Sequence, residues 1–370
     1  MVNFTYATEF VLLGFRGGPG TQTALFLVFL ILYVAAVVGN LGLTVLIGAY
    51  AHLHTPMYAL LRSLSVLDLC YSSTIAPRAL IDCLRRDRAV SLAGCAAQFF
   101  FLSLFGTTEA FLLAAMAYDR FVAICSPLLY PVRMSPRVCA RLVSGSYFGG
   151  AVNAVTQTAM TFSLSFCGSL EIDDFFCDVP PLLSLSCSDT ALNQLVLLVL
   201  CSAVIVGALL AISASYACIL AAVLRVRSAQ GRGKAFSTCA AHLAAVSLFF
   251  GTAFFMYAQP AAAMEQGKVA SVFYTVVIPT LNPLIYSLRN RDVQRALRSS
   301  RQKLALIGGG WGPPGPGPRP RAEAGADGRL LRLPVLGSGS GLRGARWAPT
   351  QRLSTPGPLG LLVCELEDSV

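Results

Sequence analysis

Seven apolar runs, poor in charge, fall near 24–48, 58–81, 93–118, 138–162, 192–224, 236–258 and 269–288. Each is long enough to cross a hydrocarbon layer ~30 Å thick, which takes about 20 helical residues. Lipid offers no hydrogen bonds, so a span must satisfy its own backbone, and an open strand edge cannot. Seven helices follow, and the fold class is an all-α membrane protein, a seven-transmembrane helix bundle. Length alone would suggest two or three soluble domains. Composition refuses that reading: 55% of the 370 residues are hydrophobic and 12% charged, against about 25% charge in soluble chains.

Charge then sets the orientation. The net charge of +10 is compatible with nucleic-acid binding, but its distribution is that of a membrane protein. Fifteen Lys and Arg residues between Arg62 and Lys303 sit at one set of helix ends and six, from Arg16 to Lys268, at the other. The positive-inside rule places the richer side in the cytoplasm. The acidic run Glu171, Asp173, Asp174 and Asp178 then lies outside. Residues 1–23 lack the basic start and apolar core of a cleavable signal, so the first span is expected to act as its own anchor. Asn3-Phe4-Thr5 is an acceptable glycosylation sequon for an outer amino terminus. The expected organisation is an extracellular segment 1–23, a bundle 24–290, an amphipathic cytoplasmic helix 291–304 and a disordered tail 305–370, which is dense in Gly, Pro and Arg and holds both tryptophans, Trp311 and Trp347.

Cys95 opens the third run on the outer side, and Cys167, Cys177 and Cys187 lie in the long outer loop. Four thiols in an oxidising compartment suggest two bridges with three possible connectivities, and spacing does not choose among them. Zinc is disfavoured, because no CxxC spacing or nearby histidine accompanies them. His52, His54 and His242 all read as polar residues at cytoplasmic helix ends. No GxSxG, HExxH or phosphate-loop string is present, so neither an enzyme nor a cofactor is implied.

Several strings stand in order at particular helix ends: EFVLLGF (Glu9 to Phe15), Gly39-Asn40, LHTPMY (Leu53 to Tyr58), MAYDRFVAIC (Met116 to Cys125), Ser215-Tyr216, KAFSTCAAHL (Lys234 to Leu243) and PTLNPLIYSLRN (Pro279 to Asn290). Together they closely resemble the tetrapod-type olfactory receptors, a branch of the rhodopsin-like G-protein-coupled receptors, over roughly residues 5–300. Phe121, Phe250 and Ala241 stand where that family usually has Tyr, Tyr and Ser. The first two changes each delete a phenolic hydroxyl.

The resemblance implies bridges Cys95–Cys177 and Cys167–Cys187. The second would close a ~20-residue loop, worth about 3 kcal/mol on the chain-entropy account. It also implies a switch in which Asp119 holds Arg120 at rest, helix motion frees Arg120 to meet Tyr216 and Tyr286, and Asn282-Pro283 kinks the seventh helix. The partners implied are an odorant small molecule, a heterotrimeric G protein of the olfactory stimulatory type that raises cyclic AMP, and the lipid bilayer of the plasma membrane. The same fold with a non-odorant ligand is the nearest alternative. An ion-coupled transporter would need internal repeats and paired broken helices, which the sequence does not display.

Two acids stand inside the spans. Asp68 lies ten residues beyond Tyr58 and Glu109 eleven before Arg120, so both sit ~15 Å deep. Intramembrane acids normally have a partner or a task, and two at one depth oppose each other's ionisation unless they share a proton or cation. Asn40 and Asn282 are placed to add neutral oxygens, and the resemblance points to a sodium- or proton-responsive site at Asp68 and Glu109. The outer half of the bundle is the expected ligand site: Leu102, Ser103, Gly106 and Thr107 on the third helix, Ser202, Ile205 and Val206 on the fifth, Ala253, Phe254 and Tyr257 on the sixth, and Tyr274 on the seventh. None carries a fixed charge, which suits a small, largely neutral volatile molecule.

Overall fold

A computed structural model describes residues 8–15, 17–85, 88–167, 169–225, 228–258, 268 and 271–308. Asn3, Arg16, the tail from 309 onward and the side chain of Tyr257 lie outside the described residues.

The long helices are α1 (Pro19–Ala49), α2 (Pro56–Leu84), α3 (Leu92–Cys125), α4 (Pro136–Phe162), α5 (Ala191–Arg225), α6 (Ala229–Ala258), α7 (Ile278–Arg289, continuous with a π-turn at Phe273–Val277) and α8 (Arg291–Gly308). Proline opens α1, α2 and α4, where its missing N–H costs nothing and its fixed φ suits the first turn. Ser91 opens α3 by accepting a hydrogen bond from the Gly94 N–H at 3.1 Å. Most helices run several residues beyond their apolar cores. α6 in particular begins at Ala229 and not near 236, because the turns that leave the membrane need not be apolar.

Lipid-facing surfaces explain the apolar excess. Large side chains such as Ile31, Val38 and Val45 on α1, and Leu198, Leu210 and Leu224 on α5, are exposed, an arrangement that water would not tolerate over so continuous a patch. Among the described residues, α1, α3 and α5 are apolar and long enough to span by composition alone. In α2 and α4 the polar residues turn inward instead: Ser65, Asp68 and Ser72 on α2, and Ser146, Asn153 and Gln157 on α4, are buried.

The amino-terminal segment, expected only as an extracellular stretch, forms a strand. β1 (Glu9–Leu12) is central in a three-stranded sheet, antiparallel to β2 (Ala89–Ser91) and parallel to β3 (Glu171–Ile172). The chain leaves β1 through Gly14, whose φ of 60° is the left-handed region that glycine enters at no steric cost. A disulfide joins Cys95 to Cys177 and another joins Cys167 to Cys187, with Cα separations of 5.6 and 5.9 Å. The first pins the outer loop to the start of α3, beside the bond from Cys177 N–H to the Gln98 side-chain oxygen (3.0 Å). Lys268 is buried and pairs with Asp173 at 2.7 Å. Burial pushes the neighbouring Asp174 carboxyl up to about 8, so this lid over the bundle carries less negative charge than its sequence suggests.

At the inner end α8 runs to Gly308, four residues past the expected 304. It seats Val293 and Ala296 in the core, and the hydroxyls of Tyr50 and Ser300 tie it to the end of α1 (2.9 Å).

α3 and α4 are tightly packed at Gly150, where a Cβ would lie 2.7 Å from the Leu104 carbonyl and against the Thr108 hydroxyl. At Gly145, on the same helix, a Cβ would meet nothing within 4 Å. Gly150→Ala should therefore destabilise the purified receptor by about 1–3 kcal/mol through overpacking. Gly145→Ala should leave thermal unfolding unchanged or slightly raised. Equal melting temperatures for the two variants would refute this packing account.

Candidate functional site

The buried polar groups of the bundle form three levels. Deepest in the middle, Asp68 and Glu109 are fully buried, and both face the Asn282 amide, whose Nδ2 lies 3.0 Å from Asp68 Oδ2 and 3.5 Å from Glu109 Oε1. The residues read as one cluster are thus brought together, with one qualification. Asn40 turns its amide N–H to the backbone carbonyls of Pro279 (2.8 Å) and Ala36 (3.0 Å). The Pro279 carbonyl is the one that Pro283, four residues on, cannot serve for want of an N–H. Asp68 Oδ1, Glu109 Oε2 and the side-chain oxygens of Asn40 and Asn282 are buried without a hydrogen-bond partner among the described residues. These are hard oxygen donors of the kind that suits sodium or a shared proton. No third acid, histidine or thiol joins them into a metal-binding group among the described residues.

At the inner level Asp119 and Arg120 are both buried, 2% and 5% exposed, and not a surface pair. Asp119 Oδ1 accepts a hydrogen bond from Tyr130 at 2.8 Å, on the turn that follows α3, so Asp119 has a partner that sequence spacing did not indicate. Tyr286 is buried. Tyr216 reaches His242, and this corrects the reading of that histidine as an interfacial residue. His242 is fully buried, its Nε2 3.0 Å from the Leu113 carbonyl and its Nδ1 2.8 Å from the Tyr216 hydroxyl. A carbonyl only accepts, so Nε2 carries the proton and Nδ1 accepts from Tyr216. One imidazole therefore ties together α3, α5 and α6. Because α6 starts seven residues earlier than its apolar core suggests, His242 lies well inside the bundle.

The outer level is a cavity of about 240 Å³ beneath the loop. Leu102, Ser103, Gly106, Thr107, Ile205, Ala253 and Tyr274 line it, as expected of them. Ser202, Val206 and Phe254 do not. They are exposed because each sits one residue, about 100° of helical rotation, past an inward-facing neighbour, namely Cys201, Ile205 and Ala253. Tyr71, Phe99, Ala110, Val204 and Phe249 add apolar wall, and Phe176 and Val179 form the roof. Three polar wall residues were missed: Asn153 and Gln157 on α4, and Asp178 on the loop. The α4 pair was legible as two amides one helical turn apart inside a span. Asp178 accepts from the Val179 N–H at 2.8 Å and from the Tyr274 hydroxyl. Burial still pushes its carboxyl above the usual range, toward the neutral form.

The sequence profile described as olfactory receptor matches residues 29–302. The human olfactory receptor OR9H1 is 68% identical over 308 residues, 83% of this chain and 100% of that protein. Mouse olfactory receptor 9S13 is 58% identical over 300 residues, 80% of this chain and 90% of that protein. The crystal structure of squid rhodopsin superposes with a TM-score of 0.63 at 16% identity, covering 79% of this chain and 84% of that one, which establishes a shared rhodopsin-like fold.

The Tyr216–His242 link yields a double-mutant test. Either Tyr216→Phe or His242→Phe leaves a buried polar group unpaired, at a cost of about 1–3 kcal/mol. Removing both should cost clearly less than the sum. Strict additivity in thermal unfolding of the purified receptor would show that the two side chains do not meet.

Proposed function

The chain belongs to the olfactory receptor family of G-protein-coupled receptors, and from that premise we propose that it binds small, largely neutral volatile molecules in the outer cavity and activates the olfactory stimulatory G protein, raising cyclic AMP. The observation that carries the ligand class is the cavity itself. It is roofed by Phe176 and Val179, walled mainly by apolar side chains, and its one acid is held by Val179 and Tyr274. A volatile molecule gains by desolvation in such a space, and a few polar groups orient it. A nucleotide would find no cation among the described lining residues, and a polar peptide would be too large.

The receptor is a multi-pass plasma-membrane protein, with the amino terminus, Asn3 and the two disulfide bridges proposed to face outward and the carboxyl terminus the cytoplasm. Signalling is proposed to run through Arg120. At rest it lies buried at the foot of α3 while Tyr130 holds Asp119. Outward motion of α6 would have to break the His242 contact with Leu113 and would expose Arg120 to Tyr216, Tyr286 and a helix of the G protein. Asn282-Pro283 gives α7 the backbone weakness such motion uses. Asp68 and Glu109 are proposed to share a sodium ion or a proton whose occupancy differs between resting and active states, as Asn282 spans both acids.

Two measurements test this reading. Arg120→Ala should abolish the cyclic-AMP response to a panel of volatile compounds at normal surface level, since it removes the G-protein contact and leaves the ligand cavity untouched. Unchanged signalling at equal surface level would disprove the switch role. Glu109→Gln keeps shape and one acceptor but removes one of two acids competing for one cation or proton. Dose–response curves at matched surface level should then shift in their dependence on sodium and pH. Identical ion dependence in wild type and variant would leave the acids as packing groups only.

A further inference from the structure

We infer that the outer cavity is built for a ligand whose polar end both donates and accepts a hydrogen bond, an alcohol being the simplest, and that Asn153 and Gln157 on α4 recognise it. This deepens the odorant-binding reading above and rests on it.

Two buried amide atoms in the cavity wall point to such a ligand. Asn153 is 8% exposed and Gln157 4%, and both line the cavity. Asn153 spends its amide N–H on the Thr107 hydroxyl at 2.8 Å, which leaves its Oδ1 a buried acceptor with no partner among the described residues. The Gln157 Nε2 is a buried donor in the same condition. An unpaired buried amide group costs about 1–3 kcal/mol, and here two occur one helical turn apart, where side chains share a face. The other strongly polar wall group is already engaged, Asp178 with Val179 and Tyr274.

Chemistry then discriminates among small neutral molecules. A hydroxyl can give its proton to Asn153 Oδ1 while its oxygen accepts from Gln157 Nε2, satisfying both. An ether or ketone answers Gln157 alone and leaves the Asn153 oxygen buried and unpaired. A hydrocarbon answers neither. An ammonium has donors only, so it would set positive charge against the Gln157 N–H. Sites built around a hydrogen-bonding group discriminate strongly against analogues lacking it, because their own polar atoms are then stranded. Asn153 and Gln157 are therefore specificity-determining residues, while the apolar wall selects size.

The test uses the full-length receptor, purified for ligand-induced thermal shift and expressed in cells for cyclic AMP. The probes are aliphatic alcohols with the methyl ethers and ketones of the same carbon skeleton. Alcohols should bind at least about tenfold more tightly than the ethers. In Asn153→Leu, which conserves volume, that preference should fall by about tenfold while ether binding is retained, whereas Gln157→Met should weaken alcohols and ethers alike. Ethers binding to the wild type as tightly as alcohols, or a preference that survives undiminished in Asn153→Leu, would overturn the inference. The wild-type ratio decides the matter even where a variant does not fold. Alcohols that stabilise the receptor without raising cyclic AMP would sink the signalling proposal and uphold this one. Cyclic-AMP responses and binding that are equal for alcohols and ethers would do the reverse. No stabilisation by any probe would overturn both.

Discussion

A polar group in hydrocarbon has no water to fall back on, and the bundle is arranged around that constraint. It is sharpest at Pro283. A proline inside a helix strips the carbonyl four residues earlier of its donor, and in lipid such a loss costs several kcal/mol. That carbonyl belongs to Pro279, and the amide of Asn40 on α1 reaches across to fill it. The approach is possible because the preceding residue is Gly39, at which a Cβ would lie 2.8 Å from the Pro283 ring. The Gly-Asn pair in the first helix and the Asn-Pro pair in the seventh are therefore two halves of one device. Pro279 adds to it, since it has no N–H for Thr275 and the chain widens into the π-turn at Phe273–Val277 just before it.

With α7 held by α1, Asn282 is fixed at the level of Asp68 and Glu109, and the three levels of polar groups acquire definite partners. The lid follows the same economy in a wetter setting. Its strands pair with each other, Arg88 bonds the Leu13 carbonyl at 2.5 Å, and the buried Lys268 neutralises Asp173. An acidic loop can then close over an apolar cavity without leaving a naked charge in its roof.

Much of this was legible in the sequence, and the misses share a physical origin. Apolar runs gave the helices, and intramembrane charge marked Asp68, Glu109 and Arg120, because in lipid each polar residue is an exception to be explained. Rotation about a helix axis is not marked in that way. On the outer halves of α5 and α6 most residues are apolar, so the inward face and the lipid face look alike, and Ser202, Val206 and Phe254 fall on the lipid side. Depth is blurred at helix ends, where polar turns continue the helix past its apolar core. That is why His242, thirteen residues into α6, read as a boundary residue. The β1 strand was hidden for another reason: its partners, β2 and β3, lie about eighty and one hundred and sixty residues away.

The element that joins the levels is α3. Its outer end is anchored by Cys95. Leu102, Thr107 and Ala110 face the cavity, while Glu109, one residue and about 100° of rotation from Ala110, faces Asn282. One turn further in, the Leu113 carbonyl holds His242, and Asp119 and Arg120 close the helix. A helix is stiff along its axis, so a small rotation or slide of α3 reaches all of these contacts together. Tight packing at Gly150 couples α3 to α4, the helix that carries Asn153 and Gln157. On the binding mode proposed above, a ligand drawn toward those amides would press on the same two-helix unit that holds the His242 contact. Cavity, acid pair and Arg120 would then need no separate relay, because α3 carries contacts to each of them.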